Sequence, residues 1–287
     1  MSHVRILHAR RRFGVAFVVG LAVLALGFLL RESFAGRLMV DPVALELGPI
    51  AIRWYGILIA VGVGVGVPWT VRRYGSPEVV SRVEGVLWLA VLGGVVGARL
   101  AYVGQNLPEY LAQPATILAL SSGGLSIHGM ILGGTLTAAI AAKAARLDFW
   151  RLADAAVPAV LLGMILGRFG NFTNGELIGT GTTLPWRMLV VGADGLVGVH
   201  PIFLYDALLN SCLLAYLLAT EHAFTVRGVL FGRFLLGISV TRFIVEFFRL
   251  NDPPSTDRLS LAQYVSLGLL LASLGLLLSL QRGRRVG

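Results

Sequence analysis

The chain has 287 residues, of which 56% are hydrophobic and 14% charged, with a formal charge of +9 and a single cysteine. A soluble domain carries about 25% charged residues, so this composition excludes a soluble enzyme and identifies an integral membrane protein. The positive charge does not mark a nucleic-acid surface, because the arginines fall mostly in short loops between apolar runs, where they act as topology signals.

Runs long enough to cross a hydrocarbon core of ~30 Å occur at 14–30, 50–68, 85–104, 125–143, 153–169, 203–220, 229–248 and 260–280. The predicted fold class is therefore an all-α integral membrane protein, a multi-span helical bundle of seven spans plus an extra N-terminal one. The first run follows Arg10-Arg11-Arg12 and precedes Ser33-Phe34-Ala35-Gly36; its long apolar stretch favours an uncleaved anchor over a signal peptide. Residues 1–36 are expected to form a basic N-terminus and anchor, and residues 37–287 a single polytopic domain. Alternate loops hold fourteen Lys and Arg on one side against five on the other, which predicts cytoplasmic termini. Residues 187–191 and 196–199 flank Gly192-Ala193-Asp194-Gly195 and predict a small extracytoplasmic hairpin. Cys212 lies mid-run and reads as a small core residue.

With that topology six spans bring polar residues to one face. They are Arg53, Trp54 and Tyr55, then Arg99 and Tyr102, His128, Arg168, Tyr205 and Asp206, and finally Arg242 and Glu246. After Arg168 come Asn171, Asn174 and Glu176, too polar for a lipid-facing surface and too weakly charged for an ordinary loop. Such groups at membrane depth face a cavity or one another. Ordinary roles are open to several of them. Arg72, Arg73 and Arg233 read as snorkelling side chains, Trp54 and Tyr55 as interfacial anchors, and Arg242 with Glu246 as a pair four residues apart. A lone histidine such as His128 is more often structural. Asp154, beside Arg151, is equally open to an ion-pair or helix-start role.

The spacing Gly-Arg-x-Gly-Asn-Phe-x-Asn-x-Glu-x-x-Gly over residues 167–179 resembles the signature of the bacterial prolipoprotein diacylglyceryl transferases, with eight identities in thirteen positions. Arg53-Trp54-Tyr55-Gly56, Gly97-Ala98-Arg99-Leu100-Ala101-Tyr102, the Gly-Gly-x-x-x-His-Gly segment at 123–129 and residues 242–249 resemble further motifs of that family. The chain departs from it at His200-Pro201-Ile202-Phe203-Leu204-Tyr205-Asp206, where the family usually has a polar pair at 202–203 and a glutamate at 206, and at Met130, where it has a glycine. Phe203→Gln is accordingly expected to be tolerated.

The resemblance implies transfer of a diacylglyceryl group from phosphatidylglycerol to the lipobox cysteine thiol of a prolipoprotein, at the outer face of the bacterial cytoplasmic membrane. In that reading Arg168 and Arg242 stabilise the leaving phosphate and His128 is the base. Tyr55, Arg99, Asn171, Asn174, Glu176, Gly179 and Glu246 line the substrate site. The sequence has no metal-ligand cluster and no Gly-rich phosphate loop, so no metal or nucleotide cofactor is expected. Two other classes fit the arginines: a lipid-binding protein without catalysis, and a small-anion transporter, which would be expected to show internal repeats. Substitution of His128 separates a catalyst from a binder.

Overall fold

The structure, a computed structural model, describes residues 40–48, 50–118, 123–223, 226–250 and 259–286, together with residues 27, 30–32 and 34–36. The expected anchor at 14–30 lies almost wholly outside the described residues. Within them the helices are α1 (Trp54–Tyr74), α2 (Val80–Gln105), short α3 (Leu107–Ala112), α4 (Ile127–Ala144), α5 (Phe149–Thr173), α6 (Ile202–Thr220), α7 (Val229–Val245) and α8 (Leu261–Val286). Two antiparallel hairpins pair β1 (Val43–Leu47) with β2 (Ile50–Arg53) and β3 (Met188–Gly192) with β4 (Gly195–Val199). The chain is an all-α integral membrane protein. α1, α2, α4, α5, α6 and α8 are long and apolar enough to span, while α7 has 17 residues and is prolonged by a 3-10 turn over Glu246–Phe248.

Three boundaries differ from the expectation. The run beginning at Ile50 is not helical at first: Ile50–Arg53 pair with β1, and the Trp54 N–H donates to the Pro42 carbonyl at 3.1 Å, closing that hairpin before α1 starts. α5 starts at Phe149 because Asp148 caps it, its carboxylate accepting the Arg151 N–H at 2.8 Å. It also continues beyond Arg168 to Thr173, so the polar turn begins one helical turn later than the run of apolar residues indicates. The expected hairpin forms, with Val190 opposite Val197 and the turn at Ala193-Asp194.

Lipid offers no hydrophobic drive between helices, so small residues provide close packing. α1 meets α5 through Gly62 and Gly66 against Gly163 and Ala159, and α2 meets α4 through Gly93, Gly94 and Gly97 against Gly129, Gly133 and Gly134. Where the two backbones meet, a Cβ on Gly129 would lie 2.2 Å from the Gly97 carbonyl oxygen and one on Gly97 2.4 Å from the Gly129 carbonyl oxygen. The lower part of the bundle is apolar, with Val157, Leu161, Leu217, Leu230 and Phe234 buried between α5, α6 and α7.

The helices alternate in direction, and their contacts define two ends. At one end the Asp154 carboxylate of α5 accepts the Gly228 and Phe231 N–H groups at 2.6 and 2.8 Å and so caps α7. The helix-start role is therefore the one Asp154 fills, but on a neighbouring helix. Around it Arg227 pairs with Asp148 at 2.6 Å, Arg73 pairs with Glu221, and the Arg151 guanidinium lies 4.6 Å from the centre of the Tyr74 ring. The Asp148 carboxyl is held below its ordinary range, first by the Arg151 N–H and, against some desolvation, by the Arg227 guanidinium. The other end gathers the polar residues of interest.

Two side chains contradict the sequence reading. Cys212 is exposed on the outer flank of α6 rather than in the core. Phe203 is 1% exposed, stacked on Phe172 at 4.5 Å and edge-on to Phe34 and Phe169. An amide in place of that ring would be buried against three phenylalanine rings, so Phe203→Gln is expected to lower stability by about 3 kcal/mol, measured as a fall in thermal midpoint in detergent. An unchanged midpoint would contradict the packing. Gly97→Ala is expected to weaken the α2–α4 pair and lower the yield of folded protein, whereas Gly104→Ala on the same helix, with open space around it, should behave as wild type.

Candidate functional site

The last turns of α5 carry Arg168 and Asn171 three residues apart, on one face of the same helix. The chain then turns through Gly175 in a left-handed conformation (φ 67°) and is closed by the Glu176 N–H on the Asn171 carbonyl at 2.9 Å. This returns the Glu176 carboxylate over the helix end. There it accepts one hydrogen bond from the Asn171 amide at 2.8 Å and one from the Asn174 amide at 3.1 Å. Asn171 Oδ1 in turn accepts from Arg168 Nη1 at 3.3 Å. The signature thus folds into a connected polar network that fixes which way both asparagine amides point.

Arg168 is anchored from below by Asp206, at the start of α6, with Nε 2.8 Å from Oδ2. Arg242 of α7 approaches the same oxygen at 3.8 Å and Glu246 at 3.2 Å, and Arg249 reaches Glu246 at 3.7 Å. Ser260 donates its hydroxyl to the other Glu246 oxygen at 3.2 Å. The Asp206 contacts are ion pairs by distance, without the alignment of a hydrogen bond. Both carboxylates are almost wholly buried, at 3% side-chain exposure, while the arginines keep 20–31%. Three guanidiniums thus face two buried carboxylates, with the Glu176 carboxylate joined to Arg168 only through Asn171. Burial in a low-dielectric setting strengthens the attraction of such a cluster for an anion.

Tyr55, at the start of α1, lies directly over this helix end. A Cβ on Gly170 would meet its ring at 2.4 Å, and its hydroxyl is within electrostatic reach of Glu176 and Arg168. The structure therefore brings Tyr55, Arg168, Asn171, Asn174, Glu176, Arg242 and Glu246 together. At Gly179 a Cβ would strike the His200 carbonyl oxygen at 2.3 Å, because the strand-like stretch 178–182 is sandwiched between residues 198–200 and 248–250. It is a close-packing position that ties the signature to the end of α7.

Arg99 and His128 belong to the α2–α4 pair. Arg99 is 6% exposed and donates to the carbonyls of Thr116, Ile117, Gly123 and Gly124 at 2.6–2.9 Å. Its guanidinium holds the chain that leads into α4. His128 is the second residue of α4, at the same end of the bundle, and is exposed.

Asp206 stood in the sequence among the polar residues of this face and as a shortened acid, but without a role in the site. The available signal was an acid inside an apolar run at the depth of two arginines, which demands a cationic partner. A second group, around Tyr205, is aromatic. The Tyr205 hydroxyl accepts from Trp186 Nε1 at 2.8 Å and lies 3.1 Å from His200 Nδ1, with Phe248 packed against both rings.

The family description that matches this chain is prolipoprotein diacylglyceryl transferase, over residues 42–279. Relatives named phosphatidylglycerol–prolipoprotein diacylglyceryl transferase include one from Nostoc sp., 40% identical over 253 residues, which are 82% of this chain and 88% of the relative. One from Bacillus cereus is 37% identical over 82% of this chain and 90% of its own length. One from Pasteurella multocida is 36% identical over 81% and 87%. The match runs through α1 to α8 and includes every residue of the arginine cluster, and on that ground the chain belongs to the prolipoprotein diacylglyceryl transferase family.

Proposed function

We propose that this chain transfers the diacylglyceryl group of phosphatidylglycerol to the lipobox cysteine of prolipoprotein signal peptides, the first step of bacterial lipoprotein maturation. Residues 37–287 form the catalytic unit and residues 1–36 an added anchor. It works in the cytoplasmic membrane of a bacterium with both termini inside and the arginine cluster facing out, as the loop charges require.

The observation that carries this reading is the pair of guanidiniums, Arg168 and Arg242, drawn to one buried carboxylate at the end of the bundle. Asp206 takes Nε of Arg168 and Asn171 takes Nη1, which leaves Nη2 to donate to a phosphate. Donors fixed in this way need no reorganisation as charge develops. In the reaction the thiol sulfur forms a bond to the terminal glyceryl carbon while that carbon's bond to the phosphate ester oxygen breaks. The electron pair goes to the phosphate, which leaves as glycerol phosphate, and charge grows where Arg168 and Arg242 can meet it. A thiol of reference pKa ~8.5 is mostly protonated near neutrality, and a neutral imidazole of reference pKa ~6.5 can take the proton as attack begins. His128 fills that role. Asn171, Asn174 and Glu176 hold Arg168 and offer hydrogen bonds to the head-group hydroxyls, and Tyr55 closes that side.

Incubation of the purified protein with phosphatidylglycerol and a lipobox peptide is expected to add the mass of one diacylglyceryl group to the peptide cysteine. A peptide of unchanged mass would refute the activity. Arg168→Lys keeps the charge but loses the planar fork, and turnover should drop roughly ten- to a hundredfold at normal protein level. Wild-type turnover in that variant would remove Arg168 from catalysis. His128→Gln should retain bound phosphatidylglycerol while losing about a hundredfold or more in rate; an undiminished rate would exclude it as the base.

A further inference from the structure

α8 packs antiparallel to α7, with Leu277 seated on Gly232 at one end and Ser260, the residue before α8, beside Glu246 at the other. Ser260 closes the first turn of α8 together with Gln263. The Ser260 hydroxyl oxygen accepts the Gln263 N–H at 3.2 Å, and the Gln263 side-chain oxygen accepts the Ser260 N–H at 2.9 Å. This reciprocal pair is a capping box, and it uses the hydroxyl only as an acceptor. The hydroxyl proton is left over, and it is donated to Glu246 Oε1 at 3.2 Å.

Glu246 is 4% exposed. Its Oε2 lies 3.2 Å from Arg242 Nη2 and 3.7 Å from Arg249 Nη1, but these are ion pairs by distance, without the alignment of a hydrogen bond. Attraction between charges sets a separation and only weakly a direction, and the terminal torsion of a glutamate is broad. Among the described residues, the Ser260 hydroxyl supplies the directional contact to this carboxylate. With Oε1 held there, Oε2 is turned to Arg242, whose Nη1 lies 3.8 Å from Asp206 Oδ2. Arg242 is therefore aimed by two carboxylates, and the aim of one of them is set from the start of α8, which carries none of the cluster's arginines.

The geometry points to Ser260 as a positioning residue for Arg242 in the transfer reaction, acting through Glu246. This rests on the proposed transferase reading, in which Arg242 meets the charge that develops on the leaving phosphate. A donor stabilises that charge best when its direction is fixed before the charge appears. Loss of the Ser260 hydroxyl leaves the Arg242 charge and its ion pairs in place but lets the carboxylate turn, so turnover suffers more than substrate binding. The capping box thus has two tasks, to start α8 and to hold one carboxylate of the arginine cluster.

The test is a double-mutant cycle of Ser260→Gly with Arg242→Lys, read as diacylglyceryl transfer from phosphatidylglycerol to a lipobox peptide and normalised to folded protein. Glycine caps a helix nearly as well as serine but has no hydroxyl, so this change separates the hydrogen bond from the cap. Ser260→Gly is expected to lower kcat about tenfold with KM changed less than about twofold, at a thermal midpoint near that of wild type. In the Arg242→Lys background the same change is expected to cost less than about twofold, because its effect passes through Arg242. Ser260→Thr keeps the hydroxyl and is expected to restore the rate. An equal fall from Ser260→Gly in both backgrounds would overturn the inference, since a cap alone acts whatever stands at position 242. A wild-type rate in Ser260→Gly, or a rate in Ser260→Thr as low as in Ser260→Gly, would overturn it as well. If Ser260→Gly fails to accumulate, Ser260→Asp takes its place in the cycle with the same expectations, because aspartate caps as well as serine and brings no proton. Absence of transfer by the wild type would instead bring down the transferase reading and this inference with it.

Discussion

The Asp206 carboxylate, buried between Arg168 and Arg242, is the interaction on which the rest of the site depends. In an apolar bundle neither the acid nor the guanidiniums can be left alone, since removing one member of a buried pair leaves an uncompensated charge and typically costs about 3–5 kcal/mol. Three helices are thereby bound to one another at one level, because Arg168 is on α5, Asp206 on α6 and Arg242 on α7. Glu246 is shared in the same way between Arg242 and Arg249.

Contact of a different kind assembles the bundle around that cluster. Glycines let α2 and α4 approach until backbone meets backbone, and Gly62 and Gly66 do the same for α1 on α5. The two pairs have separate tasks. The α1–α5 pair supplies Tyr55 and the signature, while the α2–α4 pair supplies His128 at the head of α4 and Arg99, whose guanidinium binds four carbonyls of the connection preceding it. An arginine spent on backbone carbonyls gives the entry to α4 a defined path, and that path sets where the histidine begins its helix. The hairpins complete the end of the bundle. Gly181 bridges to Val199 of β4 and Gly179 bridges to Arg249, so backbone hydrogen bonds join the loop after the signature both to the hairpin and to the segment after α7.

Much of this was legible from the chain itself. Apolar runs of spanning length specify a multi-pass protein, because the bilayer selects span length residue by residue. The Gly-Ala-Asp-Gly turn specified a hairpin, and the density of Asn, Glu and Arg after an apolar run announced a site, since polar groups at that depth must find partners. These are local properties, readable within a turn or a span.

What the tertiary structure alone decided was which groups meet. Asp206 became the anchor of two arginines, and Arg99 a backbone clamp, only because helices distant in sequence pack at particular levels. Phe203 looked replaceable by a polar residue until three other phenylalanine rings closed around it, and Cys212 looked buried until its face of α6 proved to be the outer one. The sequence by itself determined that charge had to be neutralised near one end of an all-α membrane bundle. Partner choice depends on distances between separate helices, which packing sets and local composition does not encode.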